Sequence, residues 1–194
     1  APEFFLYNVV SGQMESLNQL KGKSGTLVVF MCNHCPYVIH LLDALTETAK
    51  EFFKKDVNTI AISSNSRISH PQDGPGKMKS LAIEKKFAFP YLYDETQEVA
   101  HAFRAACTPD FYLFDTDLSL CYRGRYDDSR PGNDNPITGK DLYTAFNSMI
   151  KSFIEDTAAF RPVIEKELRA ATDKRLFFVA KVDFKVYQFM IFSE

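Results

Sequence analysis

Cys32-Asn33-His34-Cys35 is the segment of this chain best equipped for chemistry, because two thiols separated by two residues can close reversibly into a disulfide. Before it, Thr26 to Met31 (TLVVFM) is a β-rich uninterrupted run that suits a central strand buried on both faces. After it, Pro36 stands where a first helical turn tolerates proline, and Val38, Leu41, Leu42, Leu45, Ala49 and Phe52 recur on one face at helical spacing. The pair is therefore predicted between a strand and the N-terminus of a helix over 36–54, where unpaired N–H groups and the helix dipole stabilise an anion. Thiol pKa values in such motifs span roughly 3.5 to 7.5, so Cys32 is expected to ionise readily and to act as the nucleophile. His34 adds a donor or, when protonated, a positive charge beside the thiolate, which stabilises the reduced form and makes the disulfide a stronger oxidant. Asn33 and His34 are assigned to redox tuning.

The competing chemistry is zinc. Ligands would have to come from Cys32, Cys35 and two of His34, His40, His70, His101 or Cys107, and no second CxxC or HxxxH supplies the other half of a paired knuckle. No metal ligand and no cofactor beyond the Cys32–Cys35 disulfide is assigned. Cys107 lies two residues before Pro109; it is read either as an auxiliary thiol that accepts the disulfide or cross-links two chains, or as a small hydrophobe. Cys121, inside LSLCYRG, is read as core packing, and Tyr37 as packing. Asp127 and Asp128 fall in a Gly/Pro loop and are expected to be solvated. The polar stretch 64–77, with Arg67 and His70, is read as a surface connection that could also rim a substrate groove.

The elements that must position the pair follow from pattern. Residues 4–20 read as an N-terminal hairpin or two short strands, and Val57 to Ser63 (VNTIAIS) as a second buried strand. Lys77 to Phe87 and Glu95 to Ala105 read as helices around an extended Pro90 to Tyr93. Asp110 to Asp115 and Leu118 to Gly124 form an antiparallel hairpin, and a helix begins at Thr138. This order is α/β, with a mixed sheet carrying an antiparallel edge. Residues 156–194 form a separate extension: a short helix over 162–171, then a strand or interface arm over 176–192 that a partner copy could cover, giving a homodimer.

At 194 residues, one core should carry everything up to about residue 155. Lys+Arg 23 against Asp+Glu 25 provides no basic field for a nucleic-acid backbone. The apolar stretch 176–192 is interrupted by Lys181, Asp183 and Lys185, which argues against a membrane span. Four cysteines are too few for a disulfide scaffold. A cytoplasmic setting is expected, or a periplasmic or exported one if a leader was removed before Ala1.

Across the first 155 or so positions the chain resembles the redoxin (AhpC/TSA, peroxiredoxin-like) branch of the thioredoxin-like superfamily. Ala1-Pro2-x-Phe4-x-Leu6, Gly12, Leu17 and Lys21-Gly22-Lys23 look like the opening of that branch. CNHCPYV at 32–38, FPYLYDETQEVA at 89–100, ACTPDFYLFD at 106–115 and YRGRYDDSRPGN at 122–133 resemble bacterial members that carry a thioredoxin-type CxxC. The resemblance implies a thioredoxin-like fold with an N-terminal β-hairpin extension, Cys32 as attacking and Cys35 as resolving cysteine. It also makes Thr108-Pro109 a cis-proline pair facing the CxxC, with Thr108 against the bound substrate backbone. On pattern alone Pro109 could equally be a strand-start proline.

The implied activity is thiol-disulfide exchange with a protein or small thiol, re-reduced by a donor such as a thioredoxin or glutathione system. Peroxide scavenging is the alternative, but the Pro-x-x-x-Thr-x-x-Cys frame of a peroxiredoxin is absent: Val29 and Gly25 precede Cys32 at the relevant spacings, and Cys32 and Val28 precede Cys35. Thioredoxin's Trp before the pair and buried Asp beneath it are replaced by Met31 and Thr26, leaving the Cys35 proton to water or a nearby Glu or Lys. A Sco-like copper module would need CxxxCP and a loop His; the spacing is one residue short, although His70 is in a loop.

Overall fold

The computed structural model describes residues 1–170, 177–182 and 185–190, with side chains over 1–155. Its elements are β1 (Phe5–Asn8), β2 (Gln13–Ser16), α1 (Leu17–Leu20), β3 (Gly25–Phe30), α2 (Pro36–Phe53), β4 (Val57–Ser63), a 3-10 turn (Pro71–Asp73), α3 (Pro75–Glu84), β5 (Tyr91–Tyr93), α4 (Glu98–Phe103), β6 (Asp110–Phe114), β7 (Leu120–Gly124), α5 (Lys140–Ala170), β8 (Phe177–Val182) and β9 (Lys185–Met190). Two compact units result, Ala1–Ile150 and Lys151–Glu194.

The first unit is built on a seven-stranded sheet in the order β2-β1-β5-β4-β3-β6-β7. β3, β4 and β5 run parallel, while β6 and β7 on one side and β1 and β2 on the other are antiparallel. All six residues of β3 are buried, as a strand covered on both faces requires. Alternation then divides them. Leu27 and Val29 join the α2 face (Leu41, Leu45, Phe52) with Met78 of α3 and Leu142 and Phe146 of α5. Val28 and Phe30 face Leu17 of α1 and Val99 and Phe103 of α4. This is the α/β sandwich, a mixed central sheet flanked by helices with a hairpin at its start, that the sequence leads one to expect.

The differences are local. Leu17 and Leu20 lie on a helical turn, not a strand, because Ser16 and Gln19 form a capping box. The stretch 64–77 is partly ordered into the 3-10 turn and the first residues of α3. Cys121 is exposed, since β7 is an edge strand with one face to solvent. Asp127 is buried and accepts from Ser129 N (2.9 Å), Thr138 N (2.6 Å) and Gly139 N (2.7 Å). It is therefore an anchor of the 125–139 loop, not a solvated carboxylate, whereas Asp128 is exposed. Gly139 has φ +64, and a Cβ there would come within 2.8 Å of the Tyr126 ring, so the anchored turn requires glycine.

In the second unit, α5 continues through Pro162, where a separate short helix was expected, and β8 and β9 pair antiparallel from Phe177↔Met190 to Val182↔Lys185. The expected single strand over 176–192 is a hairpin in its described part. Leu176, residues 183–184 and 191–192, and Ala171 lie outside the described residues.

Candidate active site

The parallel pairing of β3 with β4 is extended by one bond, Met31 N to Ile62 O (2.9 Å), and the chain then leaves the sheet at Cys32. Cys35 is the N-cap of α2 and Pro36 its first helical residue. Both cysteines are free thiols, but their surroundings differ. Cys32 is only 1% exposed, while Cys35 is half-buried.

On one side stands the Thr108–Pro109 peptide, which is cis. Thr108 Oγ1 lies 3.6 Å from Cys32 Sγ, and Cys35 Sγ donates to the Thr108 carbonyl at 3.2 Å. One residue thus touches both sulfurs through chemically opposite groups: a hydroxyl that can donate to a thiolate, and a carbonyl that can only accept from a thiol.

On the other side stands Asp73, which sequence reasoning did not select. Its carboxylate is fully buried and accepts from Asn33 N (2.8 Å), His34 N (3.3 Å) and Asn65 Nδ2 (2.8 Å), and it lies 2.5 Å from His34 Nδ1. That same ring nitrogen is 3.7 Å from Cys32 Sγ. Asn33 is held further by Gln72 O (2.8 Å) and the Tyr91 hydroxyl (3.1 Å), and His70 stacks on His34 at 4.7 Å between centroids. In sequence, Pro71-Gln72-Asp73-Gly74-Pro75 reads as turn chemistry, and no spacing links Asp73 to a cysteine 41 positions earlier. Only the parallel alignment of β3 and β4, which brings their C-terminal loops together, makes it a neighbour.

The electrostatics reverse one expectation. Burial pushes the Cys32 thiol up from its ordinary value, and the Asp73 charge adds to this, against the opposing hydrogen bond from Thr108. A lowered value was expected from the helix and from His34. The helix begins at Pro36, four residues further on, and His34 Nδ1 is committed to a carboxylate. Cys107 lies at the rim as expected, its Sγ 3.8 Å from Pro109 O. Cys107 is exposed, and desolvation and nearby Asp110 push its thiol up, with Arg123 pulling the other way.

Beside the cis peptide runs a cavity of about 250 Å³ lined by Tyr37, Leu41, Cys107, Thr108, Pro109 and Arg130 among others. Tyr37 is 51% exposed and forms a wall of this groove, where packing was expected. Arg67 pairs with Glu95 (3.0 Å), and His70 meets the site by stacking on His34 and by accepting from Asp73 N at its carbonyl (2.9 Å).

A dithiol at the end of a buried parallel strand, opposite a cis-proline, on this mixed sheet defines a thioredoxin-like redoxin. The chain belongs to the AhpC/TSA family, whose model matches residues 1–123. Among solved structures it is similar to an uncharacterized conserved protein from Geobacillus kaustophilus, with 47% identity, TM-score 0.77 and coverage of 78% of this chain and 80% of that one. A hypothetical protein from Sinorhizobium meliloti shows 36% identity and TM-score 0.76 over 78% and 82% of the two chains. A secreted disulfide oxidoreductase from Mycobacterium tuberculosis shares the fold at 14% identity and TM-score 0.57, covering 75% of this chain and 95% of its own. Comparison with curated proteins produced no match.

Proposed function

We propose that the protein is a thiol-disulfide oxidoreductase in which Cys32 attacks and Cys35 resolves. The carrying observation is the asymmetry at Thr108. The Thr108 hydroxyl, which can donate, lies 3.6 Å from Cys32 Sγ, whereas Cys35 Sγ donates to the Thr108 carbonyl at 3.2 Å, which can only accept. Cys32 thiolate attacks a substrate disulfide, forming a mixed disulfide and releasing one substrate thiolate. Cys35 then loses its proton to solvent and attacks the Cys32 sulfur; the second substrate thiolate leaves and the Cys32–Cys35 disulfide remains. The substrate gains two electrons, which a thiol donor such as a thioredoxin or glutathione system restores to the enzyme.

The burial of Cys32 means that attack follows a local opening around it. Burial and the Asp73 charge push the Cys32 thiol up, which opposes the thiolate stabilisation that an oxidising poise would need. The groove along Thr108, Pro109 and Tyr37 receives the substrate segment next to its disulfide. Insulin-disulfide reduction and mixed-disulfide trapping test this. Cys35→Ser should accumulate a Cys32-linked adduct and Cys32→Ser should not; trapping on Cys35 in the Cys32→Ser protein alone would reverse the assignment.

Peroxide scavenging is a second reading favoured by the family match. It predicts peroxide consumption dependent on Cys32 or Cys35 in the presence of a regenerating thiol, and the absence of any such turnover would eliminate it.

A further inference from the structure

Cys32 Sγ, His34 Nδ1 and a carboxylate oxygen of Asp73 lie within 4.8 Å of one another, two of them buried and the third half-buried. A tetrahedral zinc ion with S, N and O ligands at about 2.3, 2.0 and 2.1 Å needs neighbouring donor atoms roughly 3.3 to 3.6 Å apart. The thiol–imidazole edge, at 3.7 Å, is just outside this spacing. The imidazole–carboxylate edge, at 2.5 Å, is a short hydrogen bond and would open by about 0.8 Å to admit an ion in place of its hydrogen.

The carboxylate is also oriented in advance. Three amide donors, from Asn33 N, His34 N and Asn65 Nδ2, hold it in position, which is the kind of outer support that fixes metal-ligating groups. A buried thiol, an imidazole and a buried carboxylate form a mixed borderline donor set suited to a divalent ion such as zinc.

We infer that the reduced protein binds one zinc-class divalent ion through Cys32, His34 and Asp73, and that this ion blocks thiol exchange until it is removed. Binding forms the metal–sulfur, metal–nitrogen and metal–oxygen bonds and releases to solvent the Cys32 thiol proton and the hydrogen of the His34–Asp73 hydrogen bond. No electrons move. Oxidation to the Cys32–Cys35 disulfide removes the sulfur ligand, so the ion is held only by the reduced enzyme, with its fourth position left for water or an external thiolate.

The test uses the full chain, reduced and stripped by chelator, titrated with Zn²⁺ against a chromophoric chelator and with Co²⁺ for thiolate-to-metal absorption. One equivalent should bind with a thiolate band, abolished by Cys32→Ser and by oxidation and retained in Cys35→Ser. Asp73→Asn and His34→Ala should each weaken binding by about 10- to 100-fold. His34→Ala leaves the three amide donors to Asp73 in place, so it decides the matter even if Asp73→Asn folds poorly. Failure of the wild type to compete with the chelator, or wild-type affinity in His34→Ala with loss in Cys35→Ser, would overturn the assignment; the latter places the ion on the two sulfurs. Insulin reduction by metal-free protein is scored separately, so a negative metal result leaves the exchange reaction independently measured.

Discussion

Asp73 Oδ2 approaches His34 Nδ1 at 2.5 Å, and the nitrogen it occupies is the one nearest to Cys32 Sγ. A carboxylate delivered by one loop thereby competes with a thiolate delivered by another for the same imidazole proton. The histidine of the CxxC is paired with Asp73, and the Cys32 thiol is pushed up by burial and by the Asp73 charge.

Removing that competition should make Cys32 more acidic. Burial, the main upward push on the Cys32 thiol, persists in Asp73→Asn, but the Asp73 charge that adds to it is gone, so the pH midpoint of Cys32 alkylation should fall. The lost charge-assisted bonds should cost about 1–3 kcal/mol of stability. Alkylation rate against pH in a Cys35→Ser background measures the first and a denaturant melt the second; an unmoved profile would falsify the coupling.

Thr108→Val should act in the opposite direction. It removes the hydroxyl 3.6 Å from Cys32 Sγ while keeping the branched shape and the carbonyl used by Cys35. A loss of about 1 kcal/mol of thiolate stabilisation corresponds to roughly fivefold slower substrate reduction at neutral pH. The defect should shrink at alkaline pH, where Cys32 ionises without help; a uniform defect across pH would point to substrate binding instead.

Asp127 should make the fold acid-sensitive. Burial alone would raise its pKa, but hydrogen bonds from Ser129, Gly139 and Thr138 outweigh this and hold it below the usual carboxylate value. A depressed folded-state pKa contributes stability present above the unfolded value, near about 3.9, and lost as pH falls through the folded one. Asp127→Asn should therefore be destabilised by about 1–3 kcal/mol at neutral pH and lose less stability than wild type on acidification. Chemical denaturation at several pH values checks the difference between the two slopes.

Phe52 should be a costly core position. It is fully buried, and its ring stacks on Phe146 with centroids 3.8 Å apart, joining α2 to α5 beneath the site. Phe52→Ala should cost about 3–5 kcal/mol. A loss under 1 kcal/mol in equilibrium unfolding would show that the α5 contact contributes little.

What could be read along the chain was whatever depends on neighbours in sequence. The buried strand before Cys32, the helical face from Val38 to Phe52 and the hairpin ending at Gly124 follow from periodicities of two and 3.6, which local sterics impose wherever the segment lies. The CxxC at their junction and the Thr108-Pro109 pair were legible for the same reason, the second through family likeness. Pairings between loops were not. Asp73 beside His34 and the Thr108 carbonyl on Cys35 each join residues from different loops, which only the sheet order brings together, and the burial of Asp127 depends on how the 125–139 loop folds back on itself. The consequence is chemical as well as geometric. Sequence singled out the two candidate thiols, whereas the tertiary structure bears on the acidity of Cys32, because a pKa is set by burial and by charges that approach through space.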